Sequence, residues 1–192
     1  MNFFLDKTSL GLLSIGIVCL ALMSCQTTGY QLSQSQNIAQ NTSSSEIAKQ
    51  QTIDRLYQKL AREFPEVSEM SVSQLRQHQQ TQKIVLVDVR PPEERAVSII
   101  PGAISTTELE ANLDFYQKYP IVVYCTIGYR SGKYAQKLAK KQQSLDLYNL
   151  KGSLLAWSHI KGELVNDSGN TNQVHVYSPK WQLVADDYQA VW

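Results

Sequence analysis

Ile121-Val122-Val123-Tyr124-Cys125-Thr126-Ile127-Gly128-Tyr129-Arg130-Ser131 passes from a brief apolar run, through a thiol and a glycine, into a helical pattern. A β-prone run without polar alternation suits the middle of a parallel sheet covered on both faces. Gly128 permits a sharp backbone turn, and Ser131 is placed to cap a helix over residues 131–143, where Tyr134, Ala135, Leu138 and Ala139 recur at helical spacing. Strand, tight loop and helix form a cradle in which successive N–H groups turn inward and the helix end adds positive potential. A thiol at its centre should ionise below the ordinary value of ~8.5. Arg130 offers a planar, permanently charged fork suited to an oxyanion. Together they describe a nucleophile facing an anionic substrate. Taken alone, the heptapeptide from Cys125 to Ser131 fits a buried strand-end cysteine beside a surface arginine equally well.

Working outward, Ile84-Val85-Leu86-Val87 is a second buried-strand run, and Leu145 to Leu150 reads as a third strand. Helical patterns separate and follow them. One holds Leu109, Leu113 and Tyr116, and another covers residues 153–160. Upstream, Ile53, Leu56, Tyr57, Leu60 and Phe64 make an amphipathic helix that Pro65 ends, and Ser71 starts a short capped helix. Strands alternating with helices imply an α/β domain with a central, mostly parallel sheet flanked by helices. Sites in such sheets lie beyond the carboxyl ends of the strands.

The chain of 192 residues, 43% apolar, suits one core-bearing domain, and 18 basic against 17 acidic residues leave a formal charge of +1. That near-neutral balance gives no global attraction for nucleic acid, and no basic aromatic patch adds one. Residues 1–24 have the three-part layout of a secretory signal: a weakly basic start, an uncharged run from Leu10 to Met23, and Leu22-Met23-Ser24 before Cys25. The run falls short of the ~18 apolar residues of a spanning helix, which makes a transmembrane anchor the weaker reading. The segment's end resembles a bacterial lipobox, which implies lipidation of Cys25, loss of Cys19 with the signal, and a membrane anchor facing the periplasm. An ordinary signal peptide with a chance cysteine is the alternative, and Gln26 hints at the outer membrane over the inner. Residues 25–46, rich in Gln, Ser, Thr and Asn, read as a flexible polar tether. Cys125 is then the single thiol of the folded region.

Around that thiol the sequence resembles the rhodanese family over roughly residues 70–165. Asp88-Val89-Arg90-Pro91-Pro92-Glu93-Glu94 resembles the family's D-x-R-x-x-x-E motif, and Ile100-Pro101-Gly102-Ala103-Ile104 its I-P-G-A segment. Leu150-Lys151-Gly152-Ser153-Leu154-Leu155-Ala156-Trp157 resembles its closing G-G-x-x-A-W signature. The departures are Ser98-Ile99 in place of Gly-His, and Ser153 where a second glycine is common. The resemblance implies a three-layer α/β fold and a sulfurtransferase acting through a Cys125 persulfide. It implies a small anionic donor such as thiosulfate, a cyanide or thiol acceptor, and no cofactor. Thr126, Ile127, Gly128, Tyr129, Arg130 and Ser131 would form the substrate loop. Asp88 would hydrogen-bond at the loop's base, and Arg90 and Glu94 would pair to brace the preceding loop.

Two other readings remain. Phosphatases and arsenate reductases close C-x5-R rings, whereas Cys125 and Arg130 enclose four residues, and Tyr124 stands where many such enzymes have a histidine. A non-catalytic module of the same fold would typically lack the cysteine. His78, His159 and His175 are scattered without metal-ligand spacing, so no metal site is expected. The N-terminal helix (residues 47–69) and the aromatic tail (residues 166–192) are expected to pack on the domain, and a monomer is the default.

Overall fold

In the computed structural model, which describes residues 44–192, the apolar runs become the centre of a five-stranded sheet. Its strands are β1 (Ser68–Met70), β2 (Val85–Asp88), β3 (Ile104–Ser105), β4 (Ile121–Tyr124) and β5 (Leu147–Leu150). The order is β1-β5-β4-β2-β3, with every neighbouring pair parallel. The signal segment, Cys25 and tether residues 25–43 lie outside the described residues. Among the described residues, no helix is long and apolar enough to cross a membrane.

Successive residues of a strand face opposite ways, and each face of this sheet meets its own core. Leu86, Val122, Tyr124 and Leu150 join one core with Ile53, Leu75, Leu154, Leu155 and Trp157. Val85, Val87, Ile121 and Val123 join the other with Leu109, Ala135 and Leu138. The helices responsible are α1 (residues 44–61), α2 (Val72–Thr81) and α7 (Ser153–His159) on the first face. On the second are α4 (Thr106–Ala111) and α6 (Tyr129–Lys141), while α3 (Pro92–Val97) and α5 (Leu113–Tyr116) are short connectors. The result is three layers, helix over sheet over helix.

Several boundaries differ from the sequence reading. Helix α1 already covers residues 44–46, because Glu46 is engaged: its carboxylate pairs with Lys49 at 3.1 Å and accepts from the Asp186 N–H. The chain leaves α1 at residue 61 and forms the edge strand β1, three residues with a largely exposed pattern that carries little β signal. Helix α6 begins two residues early, with Gly128 at the N-cap in a left-handed conformation (φ 104°). Ser131 is therefore inside the first turn and does not cap the helix. Ser71, by contrast, caps α2 in a reciprocal box with Gln74.

Helix α1 and the turn that follows it lie against the start of α6 at very short range. A Cβ on Gly132 would stand 2.3 Å from the Phe64 ring, and one on Gly128 would stand 2.6 Å from Tyr57. Glycine at these two positions is thus a condition of the packing.

After α7 come an antiparallel hairpin, β6 (Val165–Asn166) with β7 (Gly169–Asn170), and a parallel pair, β8 (Gln173–His175) with β9 (Gln189–Val191). A 3-10 turn at Pro179–Trp181 lies between β8 and β9. The tail is anchored by aliphatic residues more than by aromatic ones. Val174, Val176 and Val184 are buried in the first core, whereas Tyr177 and Trp192 remain 72% and 60% exposed. Removing residues 174–192 should lower unfolding free energy by more than about 3 kcal/mol, the worth of two or more buried valines. Urea denaturation followed by circular dichroism measures it.

Candidate active site

Parallel register brings three strand ends to one edge. Asp88 pairs with Tyr124, β5 ends beside them at Leu150, and the segments beginning at Val89, Cys125 and Lys151 leave the sheet together. The Cys125 loop is tied down on several sides. Cys125 N–H donates to Ser153 Oγ at 3.2 Å. The carbonyls of Cys125 and Thr126 accept from Leu154 and Leu155 at 3.3 and 3.1 Å. Asn149, fully buried on β5, donates to the Gly128 carbonyl at 2.8 Å and to Tyr57 Oη at 3.2 Å.

The loop closes around the sulfur. Gly128 N–H donates to Cys125 Sγ at 3.1 Å, and the Ser131 hydroxyl lies 3.6 Å from it and 2.7 Å from Asn149 Oδ1. That hydroxyl has one proton, which the thiolate and the amide oxygen share as alternatives. Burial alone would push the thiol up, since Cys125 is 1% exposed. The Ser131 N–H and hydroxyl, the Arg130 charge and the Gly128 N–H outweigh burial and hold it below its ordinary value.

The supporting charges pair differently from expectation. Arg90 and Glu94 do not bind one another. Arg90 is clamped by Asp88, with Nε and Nη2 donating at 2.9 and 2.7 Å, while Nη2 also donates to the Ser98 carbonyl. Asp88 therefore serves Arg90 rather than the base of the thiol loop. Both side chains are fully buried, and although burial disfavours the Arg90 charge, Asp88 raises its pKa above the ordinary guanidinium value. Glu94 instead takes Arg130 in a two-pronged pair at 2.6 and 2.7 Å, and Arg130 also donates to Thr126 Oγ1 at 3.2 Å. Burial pushes the Glu94 carboxyl up, but Arg130 more than compensates and leaves it below the usual carboxylate range. Because the folded value is the lower one, the pair's stabilisation is complete above the unfolded value of ~4.3 and is lost as pH falls through the folded one.

Of the remaining loop residues, Ile127 is buried and Tyr129 sits at the rim, its hydroxyl donating to Glu63 at 3.2 Å. A cavity of about 300 Å³ opens beside Cys125, bounded by the loop, by Leu60 of α1, and by Trp181 and Tyr177 of the tail. Sequence reasoning missed Asn149, Ser153 and this tail wall. A lone amide in the apolar run of β5 was the available signal for Asn149, because buried polar groups require partners. Ser153 adopts φ 45°, the left-handed region where glycine is usual, and supplies the oxygen that a glycine would lack.

Residues 71–160 match the family model described as a Rhodanese-like domain. The fold is similar to that of a thiosulfate sulfurtransferase from Pseudomonas aeruginosa at 18% identity and a TM-score of 0.50, covering 59% of this chain but only 23% of that one. A rhodanese-like domain protein from Staphylococcus aureus is 26% identical with a TM-score of 0.41, over 47% of this chain and 91% of that chain. A protein from Rhodopseudomonas palustris, described as of unknown function and a possible tyrosine phosphatase, is 22% identical with a TM-score of 0.42, covering 55% and 91%. No curated protein matches the sequence. The similarity to a rhodanese-like domain thus spans just under half of the chain, and Leu60, Tyr177 and Trp181 of the cavity wall fall outside the matched span.

Titrating the thiolate by its ultraviolet absorbance should give a midpoint below ~8.5, and Ser131→Ala should raise it by removing one donor while leaving the fold intact. Asp88→Asn should cost about 3–5 kcal/mol in urea unfolding, because it leaves a buried guanidinium unpaired.

Proposed function

We propose that the protein is a rhodanese-type sulfurtransferase that carries sulfane sulfur as a persulfide on Cys125. The observation that carries this reading is the sulfur itself: a buried thiol beneath the Gly128 and Ser131 N–H groups, held towards its thiolate form. A thiolate so placed attacks the outer sulfur of thiosulfate or a similar donor. The donor's S–S bond breaks, its electron pair leaves with sulfite, and Cys125 keeps the transferred sulfur. A thiophilic acceptor, cyanide or a thiol, then attacks that terminal sulfur and regenerates the thiolate. The loop N–H groups and Arg130 stabilise negative charge at both stages. Glu94 positions Arg130, and the Asp88–Arg90 pair fixes the neighbouring loop.

The ring size supports sulfur over phosphoryl chemistry. Four residues between Cys125 and Arg130 close a smaller cradle than the five of the phosphatase-type loop, and Arg130 is already held by both oxygens of Glu94. For location, we propose an exported lipoprotein anchored through Cys25 and facing the periplasm, on the strength of the signal-like first 25 residues.

Intact-mass measurement after incubation with thiosulfate should show the gain of one sulfur atom on the wild type, none on Cys125→Ser, and its discharge by cyanide. No adduct at any thiosulfate concentration, with p-nitrophenyl phosphate hydrolysed instead, would overturn the sulfurtransferase reading. Metabolic labelling with a radioactive fatty acid should mark the full chain and not Cys25→Ala.

A further inference from the structure

His175, on β8 of the tail and outside the span matched by the family model, meets the active-site charges through one ring nitrogen. Its Nδ1 accepts from the Tyr177 N–H at 3.3 Å and stands 3.7 Å from Glu94 Oε2. The second distance is too long for a hydrogen bond. The two neighbours make opposite demands on the same atom. An N–H needs a lone pair on Nδ1, which is the neutral ring with its proton on Nε2, whereas a carboxylate needs a proton there. The side chain is 21% exposed, so solvent can supply that proton.

Each state of the ring has its own consequence. With Nδ1 unprotonated, the Tyr177 N–H is satisfied, and the three-residue turn closed by the Ser178 N–H on the Val176 carbonyl at 2.8 Å is held with Tyr177 at φ 69°. A turn of this kind is strained and persists only where its neighbours fix it. Protonation removes the acceptor and turns an N–H towards Glu94. The oxygen it faces, Oε2, is the one that takes Arg130 Nη2 at 2.7 Å. Once that oxygen is shared, Arg130 is still held through Nη1 and Oε1 at 2.6 Å, and Nη2 can turn towards an anion at the sulfur. The charged groups facing the imidazole are Glu94 of α3 and, behind that carboxylate, Arg130 of α6 and Arg90 of the loop after β2. Its register partner on β9 is Val191, which carries no charge. Glu94 lies below the usual carboxylate range, and so stays ionised through the window of about pH 5 to 8 in which imidazoles titrate.

We propose that His175 is a positioning residue for Arg130: as an imidazolium it takes a share of Glu94 and releases the Arg130 Nη2 group towards an anion bound at Cys125. The tail thereby sets how much of the Arg130 charge the site offers its ligand. Only the identity of that anion rests on the sulfurtransferase reading, under which it is the sulfur donor. Alkylation of the thiolate requires no sulfur transfer, so it tests the role of His175 separately.

The test alkylates the full chain with iodoacetate, an anion, and with iodoacetamide, its neutral counterpart, and reads each rate at Cys125 by peptide mass. Both reagents need the thiolate, so the ratio of their rates cancels its ionisation and reports the positive charge offered at the sulfur. We expect the wild-type ratio to rise at least threefold between about pH 8 and about pH 5.5, the range of imidazole titration. It should stay flat in His175→Asn, whose side-chain oxygen keeps an acceptor for the Tyr177 N–H and cannot become a cation. His78→Asn, on α2, should follow the wild type. In a Glu94→Gln background the effect of His175→Asn should shrink at least twofold, because the carboxylate that links the two cations is gone. Persistence of the full effect there shows a direct field from the imidazolium and overturns the positioning role. A flat wild-type ratio overturns it whether or not Cys125 takes up sulfur from thiosulfate. A rise lost in His175→Asn, without sulfur uptake, upholds it and sinks the donor chemistry alone.

Discussion

A sulfur anion shut away from water has to be solvated by the protein around it, and the Cys125 loop is arranged to meet that demand. The thiol is almost wholly buried, which by itself would keep it protonated. Two backbone N–H groups, one hydroxyl and a neighbouring guanidinium replace the missing water. Such donors work only if the backbone cannot relax away from the sulfur. Much of the surrounding structure is directed at that rigidity: Ser153 beneath the first N–H, the α7 amides on two loop carbonyls, Asn149 on a third, and Tyr57 pressed against Gly128.

The charged residues at this edge obey the same constraint. Asp88 and Arg90 are both removed from solvent, and each is acceptable there only because the other is present. Glu94 and Arg130 form a second closed pair nearer the mouth, with His175 of the tail 3.7 Å from the carboxylate. Each guanidinium thus has a carboxylate partner that fixes its position, and Arg130 is held where its charge still reaches the sulfur.

The strongest sequence signals were those with a single physical meaning. Uninterrupted apolar runs at 84–87 and 121–124 become central strands buried on both faces, and the Ser71 capping pattern becomes a cap. The position of Cys125 between strand and helix follows from the same reading. Partner choice among charges was not legible: Asp88, Arg90, Glu94 and Arg130 admit more than one pairing, and only the folded path of the loops decides between them. Ser131 illustrates the same difficulty. A serine near a helix start reads as a cap, yet Gly128 could take the left-handed turn, which moved the boundary and released the hydroxyl for the sulfur. The cavity wall was the least visible, because Leu60 and Trp181 are far apart in the chain and neither belongs to a motif.

That separation bears on how the protein folds. The thiol and its cradle lie on the central strands, whereas the wall facing the sulfur includes one residue from the helix preceding the sheet and others from the tail. In folding, the sheet can close around Cys125 before residues 174–192 dock on the domain. For that interval a nucleophilic sulfur is complete while its cover is not, and such a thiol is open to oxidants and to chance disulfide partners. A chain ended by premature termination within the tail would remain in that state. The last residues therefore shield the sulfur as well as completing the cavity wall.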